Sequence, residues 1–364
     1  MTKPRRPSPF LPTVLTEPKV SAHVVHLRYV EDGIPGVRRI RHGKKFQYKN
    51  PQGNILRDAA VLKRIASLVI PPAWEDVWIC PFENGHLQAT GRDARGRKQY
   101  RYHPKWRHVR DLTKYYRMIP FAEALPRIRE RVSKDLSGPA LTWEKVLATV
   151  VRLLEETLIR VGNEEYAKEN HSYGLTTMHD SHVSVHGSTL QFHFRGKSGK
   201  VHTISVKDPR MAKIVRACRD LPGQEIFQYL DESGARCDVK SDDVNAYLKE
   251  ISGEDFTAKD FRTWAGTVQA ALQLELCGAG TSERQRKSNI VQAIEVVSEK
   301  LGNTPAVCRK CYVHPVILQC YLENDFLERL ERFLKRGKSH PVKGLMVGEA
   351  AVLSFLKDNF EKRS

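Results

Sequence analysis

The stretch TWEKVLATVVRLLEETLIRV, residues 142–161, decides the character of the second half of the chain. Thr142 carries a side chain that can cap a helix, and apolar residues recur every three or four positions after it. The residues on this stripe are Val146, Val150, Leu153, Leu154, Thr157, Leu158 and Val161. This period predicts an amphipathic helix across the stretch with one face buried.

From about residue 111 onward, the sequence shows the same long helical periods. Thr257 with Asp260, and Ser282 with Gln285, are capping boxes that predict helices reaching residues 276 and 301. Pro305 predicts a third, short helix, because proline is favoured at the first helical position, and residues 342–360 predict a terminal one. Alternating residues 190–194, a glycine-containing turn at 195–199 and residues 201–206 predict a β-hairpin between the helices.

The first 110 residues have a different pattern. Short apolar segments at residues 23–29, 46–48, 77–80 and 86–89 are separated by glycine and proline, which is typical of strands and turns. Residues 58–69 predict one helix, which Pro71 and Pro72 stop. We therefore expect an α+β chain with a flexible basic tail (1–20), a small strand-rich N-terminal domain (21–110) and a mainly helical domain with a small sheet (111–364).

The charge is concentrated in the smaller domain. The chain has 364 residues and a net charge of +18, and residues 1–110 hold 22 Lys and Arg against 8 Asp and Glu. This excess predicts a polyanionic partner, with nucleic acid favoured over a membrane, while a merely basic soluble protein is the alternative. No apolar run is long enough to span a bilayer. The 7 cysteines indicate reduced thiols and a cytoplasmic protein.

Five separate segments carry residues suited to cutting a phosphodiester without a metal. That chemistry needs a nucleophile, fixed cations or donors for the phosphoryl oxygens, and an acid for the leaving oxygen. Arginine suits the second role because its fork is always charged. The segments are RVG (160–162), RGKSG (195–199), KDFRTW (259–264), GNTP (302–305) and CRKCY (308–312). Each also has an ordinary alternative as a surface ion pair, a solvated lysine or a turn residue.

In order and spacing, these segments resemble the active-site segments of bacterial and poxvirus-like type IB DNA topoisomerases. Residues 91–102, GRDARGRKQYRY, also look like the DNA-contacting strand of that family, so the resemblance spans roughly residues 35–330. It implies that the tyrosine-recombinase and topoisomerase IB catalytic fold forms a C-shaped clamp with the N-terminal lobe. The Cys308 and Cys311 thiols beside the last segment are interpreted as packing residues, with a redox role as the alternative.

The resemblance also implies a role for each matching residue. Tyr312 would be the nucleophile that forms a 3′-phosphotyrosyl bond, Arg160 and Arg262 would hold the scissile phosphate, and Lys197 would be the general acid. Asn303 stands where poxvirus members carry histidine. Asparagine can donate a hydrogen bond but cannot carry a proton or a charge, so we expect it to act as an oxyanion donor.

The implied DNA contacts lie mostly in the N-terminal lobe: Arg97, Lys98, Gln99, Tyr100, Tyr102 and Tyr166. Along a strand, Gln99 and Tyr100 would point to opposite faces, so we expect one face of this strand to pack on the core of its own domain.

The function implied is ATP-independent relaxation of supercoiled duplex DNA by a bacterial, cytoplasmic monomer acting on the nucleoid. We expect no metal, no nucleotide cofactor and no membrane partner. A tyrosine recombinase is the first alternative, but recombinases usually carry His-x-x-Arg where this chain has KDFR (259–262), and they begin with a helical domain. A catalytically silent DNA-binding protein is the second.

Overall fold

The computed structural model describes residues 17–43, 45–138, 140–231 and 233–361, except for the side chains of Leu112 and Glu361. The chain divides into two compact units, Met1–Arg117 and Met118–Ser364. The predicted boundary at residue 110 lies inside a helix, Pro104–Tyr116, so the division comes a few residues later. The predicted tail lies outside the described residues up to residue 16, and its last residues, 18–20, are already helical.

The first unit is built on a five-stranded antiparallel sheet with the strand order β2-β1-β3-β4-β5. The strands are β1 Val37–His42, β2 Lys45–Lys49, β3 Glu75–Ile79, β4 Leu87–Arg92 and β5 Lys98–Tyr102, and the helices are α1 Pro18–Val24, α2 Ala59–Ser67 and α3 Pro104–Tyr116. Side chains alternate along β3, so Val77 and Ile79 enter one apolar cluster and Trp78 enters another. Both faces of the sheet are therefore packed.

Residues 23–29 are a place where the strand-and-turn prediction is wrong. Residues 18–24 form helix α1, which begins with Pro18 at its first position. The rest of the segment contributes a single bridge, between Arg28 and Gly85. The apolar residues that suggested a strand are instead packed as a cluster, in which Ala22 and Leu27 contact the region of Trp106.

The second unit is mainly helical, as predicted. Its helices are α4 Met118–Asp135, α5 Trp143–Thr157, α6 Glu164–Asn170, α7 Pro209–Arg219, α8 Ser241–Ser252, α9 Ala258–Cys277, α10 Glu283–Leu301, α11 Pro305–Cys311, α12 Pro315–Leu322, α13 Leu327–Ser339 and α14 Val347–Glu361. Strands β6 Val183–His186, β7 Thr189–Arg195 and β8 Val201–Lys207 form an antiparallel sheet, and β9 Gln228–Leu230 pairs with β10 Arg236–Asp238. Within the described residues, no helix is both long and apolar enough to cross a bilayer.

Helix α5 is shorter than its apolar period predicted. It ends at Thr157, and Leu158 turns the chain with a left-handed backbone of φ 56°. The apolar period continues to Val161 because Leu158 and Val161 are buried outside the helix. As a result, Arg160 lies in an extended segment that pairs with the chain near Gly174, through a bond from the Leu175 amide to the Arg160 carbonyl of 2.8 Å.

Helix α9 is the central element of the second unit. Half of its 20 residues are buried, and it contacts α4, α5, α8, α10, α12, α13 and α14. Its capping box forms as predicted, since the Asp260 carboxylate accepts from the Thr257 amide at 2.8 Å. Side chains on this one helix can therefore reach several neighbouring elements.

A buried ion network ties the last helix to this centre. Arg129 on α4 donates to both carboxylate oxygens of Glu349 at 2.8 Å and to Glu155 at 2.6 Å. Glu349 is only 4% exposed and also accepts from the indole of Trp264 on α9 at 3.3 Å. Because charges this buried are stable only when paired, the network holds α4, α5, α9 and α14 together.

Replacing Glu349 with glutamine should therefore destabilise the protein. The variant removes a charged acceptor from buried donors, and we expect the free energy of unfolding to fall by about 2–3 kcal/mol. The matched control is Glu123→Gln, which weakens the solvent-exposed pair with Lys357 and should cost less than about 1 kcal/mol. Urea unfolding of the full chain measures both, and equal losses would show that the network has no special weight.

Candidate active site

The guanidinium of Arg262 joins three parts of the second unit. The side chain projects from α9 and is 4% exposed. It donates to the carbonyl of Leu158, just past the end of α5, and to the carbonyl of Leu301, at the end of α10, at 2.7 Å. Carbonyls at helix ends have no intrahelical partner and carry partial negative charge, so a buried cation is well placed there.

These two anchor points position two further predicted residues. Arg160 follows Leu158 by two residues, and Asn303 follows Leu301 by two residues. Arg160 donates a hydrogen bond to the side-chain oxygen of Asn303. Residues 143 positions apart in the chain are thus brought together, and the amide of Asn303 is oriented with its oxygen toward the cation and its NH₂ elsewhere.

Two buried N–H groups at this place are available to a ligand. Among the residues that the structure describes, neither Nε of Arg262 nor Nδ2 of Asn303 has a hydrogen-bond partner. Unpaired buried donors are costly, and beside two arginines they are suited to a bound oxyanion. The donor role expected for Asn303 needs a side-chain NH₂ of this kind, and the role itself stays a prediction.

Tyr312 is held at the same site by its backbone. It follows α11, and its carbonyl accepts from the hydroxyl of Thr267 on α9 at 3.2 Å. Gly266 lies so close that an added Cβ would stand 2.7 Å from the Tyr312 carbonyl oxygen. The Arg262 guanidinium lies 5.3 Å from the centre of the Tyr312 ring. Helix α9 therefore places both the tyrosine and the arginine.

The electrostatic environment favours the ionised phenol. Burial by itself raises the pKa of the Tyr312 hydroxyl, but the positive charges of Arg262 and Arg160, a hydrogen bond with Arg262 and the charge of Lys259 outweigh it. The pKa of Tyr312 therefore lies below its ordinary value of about 10. A more acidic phenol is a better source of the attacking oxyanion.

The two arginines repel each other. Burial first, and then the charge of Arg160, lower the pKa of Arg262 to about 10. Arg262 is still charged at neutral pH, so two cations share a small volume with one phenol. An anionic group bound between them would relieve this repulsion.

Lys197 lies on an exposed turn beside the other candidate residues. The turn joins β7 to β8, and the predicted hairpin is present with Arg195 opposite Val201. Lys197 lines a small cleft together with Arg160 and Arg262. The structure thus brings together the five residues expected to act in chemistry, although the ammonium of Lys197 is the most exposed of them.

Three residues at the site were missed by sequence reasoning. Gly266 and Thr267 contact the Tyr312 backbone, and His202 lines the cleft beside Lys197. A glycine inside a helical period is a signal of close approach, so Gly266 could have been found. His202 had no such signal, since it is one of 14 histidines and lies on an ordinary strand.

The candidate DNA contacts of the first unit already have partners within that unit. Arg97 pairs with Asp93 at 2.7 Å, and Lys98 pairs with Asp32 at 2.7 Å. The Gln99 amide also donates to Asp93, at 3.0 Å. Phosphate contacts by these cations would therefore replace existing ion pairs.

The two tyrosines of β5 differ in exposure. Tyr102 packs against the apolar clusters, and burial raises the pKa of its hydroxyl. Tyr100 is stacked on it, with ring centres 5.9 Å apart, but is 46% exposed. The same face of the strand is thus packed at one end and open at the other. Tyr166 lies on α6 in the second unit and is 37% exposed.

The described residues contain no group of three or more His, Cys, Asp or Glu side chains arranged to hold a metal ion. The chemical groups that the site does offer are a phenol, two guanidiniums, an amide and an ammonium. These suit an attack on a phosphodiester, with charge neutralised by side chains.

Two protein families match the sequence. Residues 103–336 match the eukaryotic DNA topoisomerase I catalytic core, and this range contains all five candidate catalytic residues. Residues 45–93 match the bacterial DNA topoisomerase IB N-terminal domain. The second match falls within the strand-rich unit and decides against the recombinase alternative, for which a helical domain was expected there.

Individual proteins that are similar to this chain are named DNA topoisomerases. DNA topoisomerase 1B of Acanthamoeba polyphaga mimivirus is 30% identical over 318 residues, which cover 85% of this chain and 93% of that protein. DNA topoisomerase 1B of Vaccinia virus (strain Copenhagen) is 22% identical over 283 residues, 77% of this chain and 85% of the relative. DNA topoisomerase 1 of Schizosaccharomyces pombe is 26% identical over 167 residues, 45% of this chain and 20% of the relative.

Removing Arg160 should raise the pKa of Tyr312, because it removes a positive charge that favours the phenolate. In Arg160→Ala, tyrosinate should therefore form at a higher pH than in the unmodified protein. The measurement is an ultraviolet titration, with the matching Tyr312→Phe protein subtracted to isolate one of the 12 tyrosines.

The control is Lys197→Ala, since the charge of Lys197 is not among the causes that lower the pKa of Tyr312. We expect its Tyr312 titration to be unchanged. An equal rise in both variants, or none in Arg160→Ala, would contradict the electrostatic account.

Proposed function

The chain belongs to the type IB DNA topoisomerases, and on that premise we propose that Tyr312 is the nucleophile that cuts one strand of duplex DNA. The observation that carries this proposal is the convergence of Arg262, Arg160 and Asn303 on a phenol whose pKa is lowered. The family acts on double-stranded DNA, which supplies the phosphodiester that these groups are suited to bind.

The proposed reaction is a transesterification at phosphorus. The Tyr312 oxygen attacks the scissile phosphate, a P–O bond to tyrosine forms, and the P–O bond to the 5′ oxygen breaks. Tyr312 gives its phenolic proton to water, and the leaving oxygen takes a proton from the ammonium of Lys197. The products are a 3′-phosphotyrosyl enzyme and a free 5′-hydroxyl, which can swivel and then attack the phosphotyrosine to reseal the strand.

Three side chains would stabilise the transition state. Arg160 and Arg262 would hold the non-bridging oxygens, where negative charge grows, and Asn303 would donate from its buried NH₂, which has no partner among the described residues. Preorganised donors of this kind are typically worth a factor of about 10²–10³ each in rate. Arg262 is fixed by hydrogen bonds to two backbone carbonyls.

The energy of the broken ester is kept in the phosphotyrosine, since one phosphodiester replaces another. Resealing therefore needs no ATP, and charge neutralisation by arginines makes a metal ion unnecessary. We further propose that the protein acts as a monomer in the bacterial cytoplasm, on the nucleoid, and that the N-terminal residues Arg97, Lys98, Gln99, Tyr100 and Tyr102, with Tyr166, contact the DNA.

The direct test is relaxation of a supercoiled plasmid in EDTA without a nucleotide. The proposal expects full relaxation under these conditions, with a covalent protein–DNA adduct trapped by denaturant. Activity that appears only when Mg²⁺ or ATP is added would contradict it.

Tyr312→Phe should abolish relaxation and the trapped adduct, because the variant lacks only the attacking oxygen. Duplex binding should remain within a few-fold, as the arginines are intact. Adduct formation on a labelled duplex and a binding isotherm measure the two effects. The matched control is Tyr321→Phe, which removes the hydroxyl of a buried tyrosine, bonded to the Gly278 carbonyl at 2.7 Å, and should keep its activity. A relaxing Tyr312→Phe protein would refute the assignment.

Binding to duplex DNA should weaken steeply as salt rises. The positive charge of residues 1–110 predicts several phosphate contacts, and each contact contributes a slope of about −0.9 in log K against log salt. Titration of a labelled duplex with the Tyr312→Phe protein at several salt concentrations measures this slope without cleavage. A flat response would show that the basic lobe does not supply the affinity.

A further inference from the structure

His202 lies in the cleft of the candidate active site, and none of the roles proposed above uses it. It stands on β8 directly opposite Phe194 on β7, and its ring is stacked on that of Phe194 with centres 5.1 Å apart and planes 16° apart. Lys197 lies between these two residues in the chain, at the turn. The imidazole is therefore held at the base of the turn that carries the proposed general acid.

Two glycines make room for this ring. A Cβ added at Gly196 would stand 2.8 Å from Cδ2 and Nε2 of His202, and a Cβ added at Gly302 would overlap the ring at Cε1. Gly196 directly precedes Lys197, and Gly302 directly precedes Asn303. One flat side chain thus touches the backbone next to two of the proposed active-site residues.

We propose that His202 is a positioning residue that docks the Lys197 turn against the chain at Gly302 and so presents the Lys197 ammonium to the leaving 5′ oxygen. The inference rests on the general-acid role proposed for Lys197. The turn itself is exposed and has left-handed backbone at Ser198 and Gly199. A contact at its base is therefore a means of fixing where its tip lies.

The charges around the ring favour packing over phosphate binding. The cations that face it come from four elements of the fold: Lys200 and Lys197 on its own hairpin, Arg160 after α5, Arg262 on α9 and Lys300 on α10. Burial first, then the charges of Arg160, Lys200 and Arg262, lower the pKa of His202 below its ordinary value of 6.5. The ring is thus neutral at pH 7 and can lie among these cations without adding to their repulsion.

The chemistry of the leaving group distinguishes this positioning role of His202 from other roles. Docking of the Lys197 turn governs only the transfer of a proton to the 5′ oxygen as the P–O bond breaks. If a sulfur replaces that bridging oxygen, a thiolate leaves without a proton, because thiols are far more acidic than alcohols. A duplex with a 5′-bridging sulfur therefore bypasses the step that His202 supports.

The experiment compares single-turnover cleavage of ordinary and sulfur-bridged duplexes. His202→Ala should slow cleavage of the ordinary duplex by about 10- to 100-fold, the range expected for a small misplacement of a catalytic group. It should cleave the sulfur-bridged duplex at close to the unmodified rate. Lys197→Ala should show the same pattern with a larger loss. His186→Ala, at the far end of the same sheet, is the control and should cleave both duplexes normally.

A second variant tests the contact itself. The backbone of Gly196, with φ −95° and ψ −165°, is open to alanine, so Gly196→Ala should act only by pushing the His202 ring out of place. We expect the same selective slowing. The double variant Gly196→Ala/His202→Ala should be no slower than His202→Ala, because the ring that the methyl group meets is gone. Should His202→Ala fail to fold, Gly196→Ala decides the question.

Two results would overturn the inference. One is normal cleavage of the ordinary duplex by His202→Ala or Gly196→Ala. The other is an equal loss on both duplexes with an unchanged unfolding temperature, which would assign the ring to the phosphate instead. A Lys197→Ala protein that sulfur does not rescue would refute the acid role of Lys197 itself, and this outcome is distinct from a failure of His202 alone.

Discussion

The buried guanidinium of Arg262 is the contact on which the rest of the site depends. It binds the carbonyls of Leu158 and Leu301, and these carbonyls immediately precede the segments that carry Arg160 and Asn303. The same group faces the ring of Tyr312. One side chain therefore sets the spacing of three chain segments and also supplies charge to the phenol. Burial of a cation at this place is costly, and the two carbonyls offset that cost.

The site is assembled under electrostatic repulsion. Arg160 lowers the pKa of Arg262, and both arginines lower the pKa of Tyr312. Both pKa shifts reflect the same surplus of positive charge, which a phosphate would neutralise. The neutral ring of His202 and the neutral amide of Asn303 do not add to this repulsion, since they fill space and provide contacts without a positive charge. The fold thus gathers positive charge at a place where an anion would be bound favourably.

Much of this arrangement could be predicted from the sequence, and the reason differs from residue to residue. Caps at Thr257 and Ser282 act locally, so the starts of α9 and α10 were predicted correctly. The end of α5 was not, because Leu158 is apolar and buried whether or not it is helical. The family pattern indicated five candidate catalytic residues, and the structure brings these candidates together.

What the sequence did not reveal is what holds those residues in place. The bonds from Arg262 to two carbonyls, and the contact of Thr267 with the Tyr312 backbone, join positions dozens of residues apart and involve main-chain atoms that have no sequence signature. His202 is of the same kind, since the role proposed for it rests on contacts with two glycines that pattern reading treats as turn residues. The sequence also did not reveal how exposed each side chain is. Tyr100 is exposed, whereas Tyr102 packs against an apolar cluster.

Gly266 has a consequence for anyone who wishes to make this enzyme more robust. Glycine in the middle of a helix is a standard target for thermostabilisation, because alanine gains roughly 1 kcal/mol there in an isolated helix. In α9 the Tyr312 carbonyl occupies the space that a methyl group at position 266 would need. The same substitution here would press on the backbone of Tyr312, the proposed nucleophile, so the candidate active site limits how rigid its own scaffold can be made.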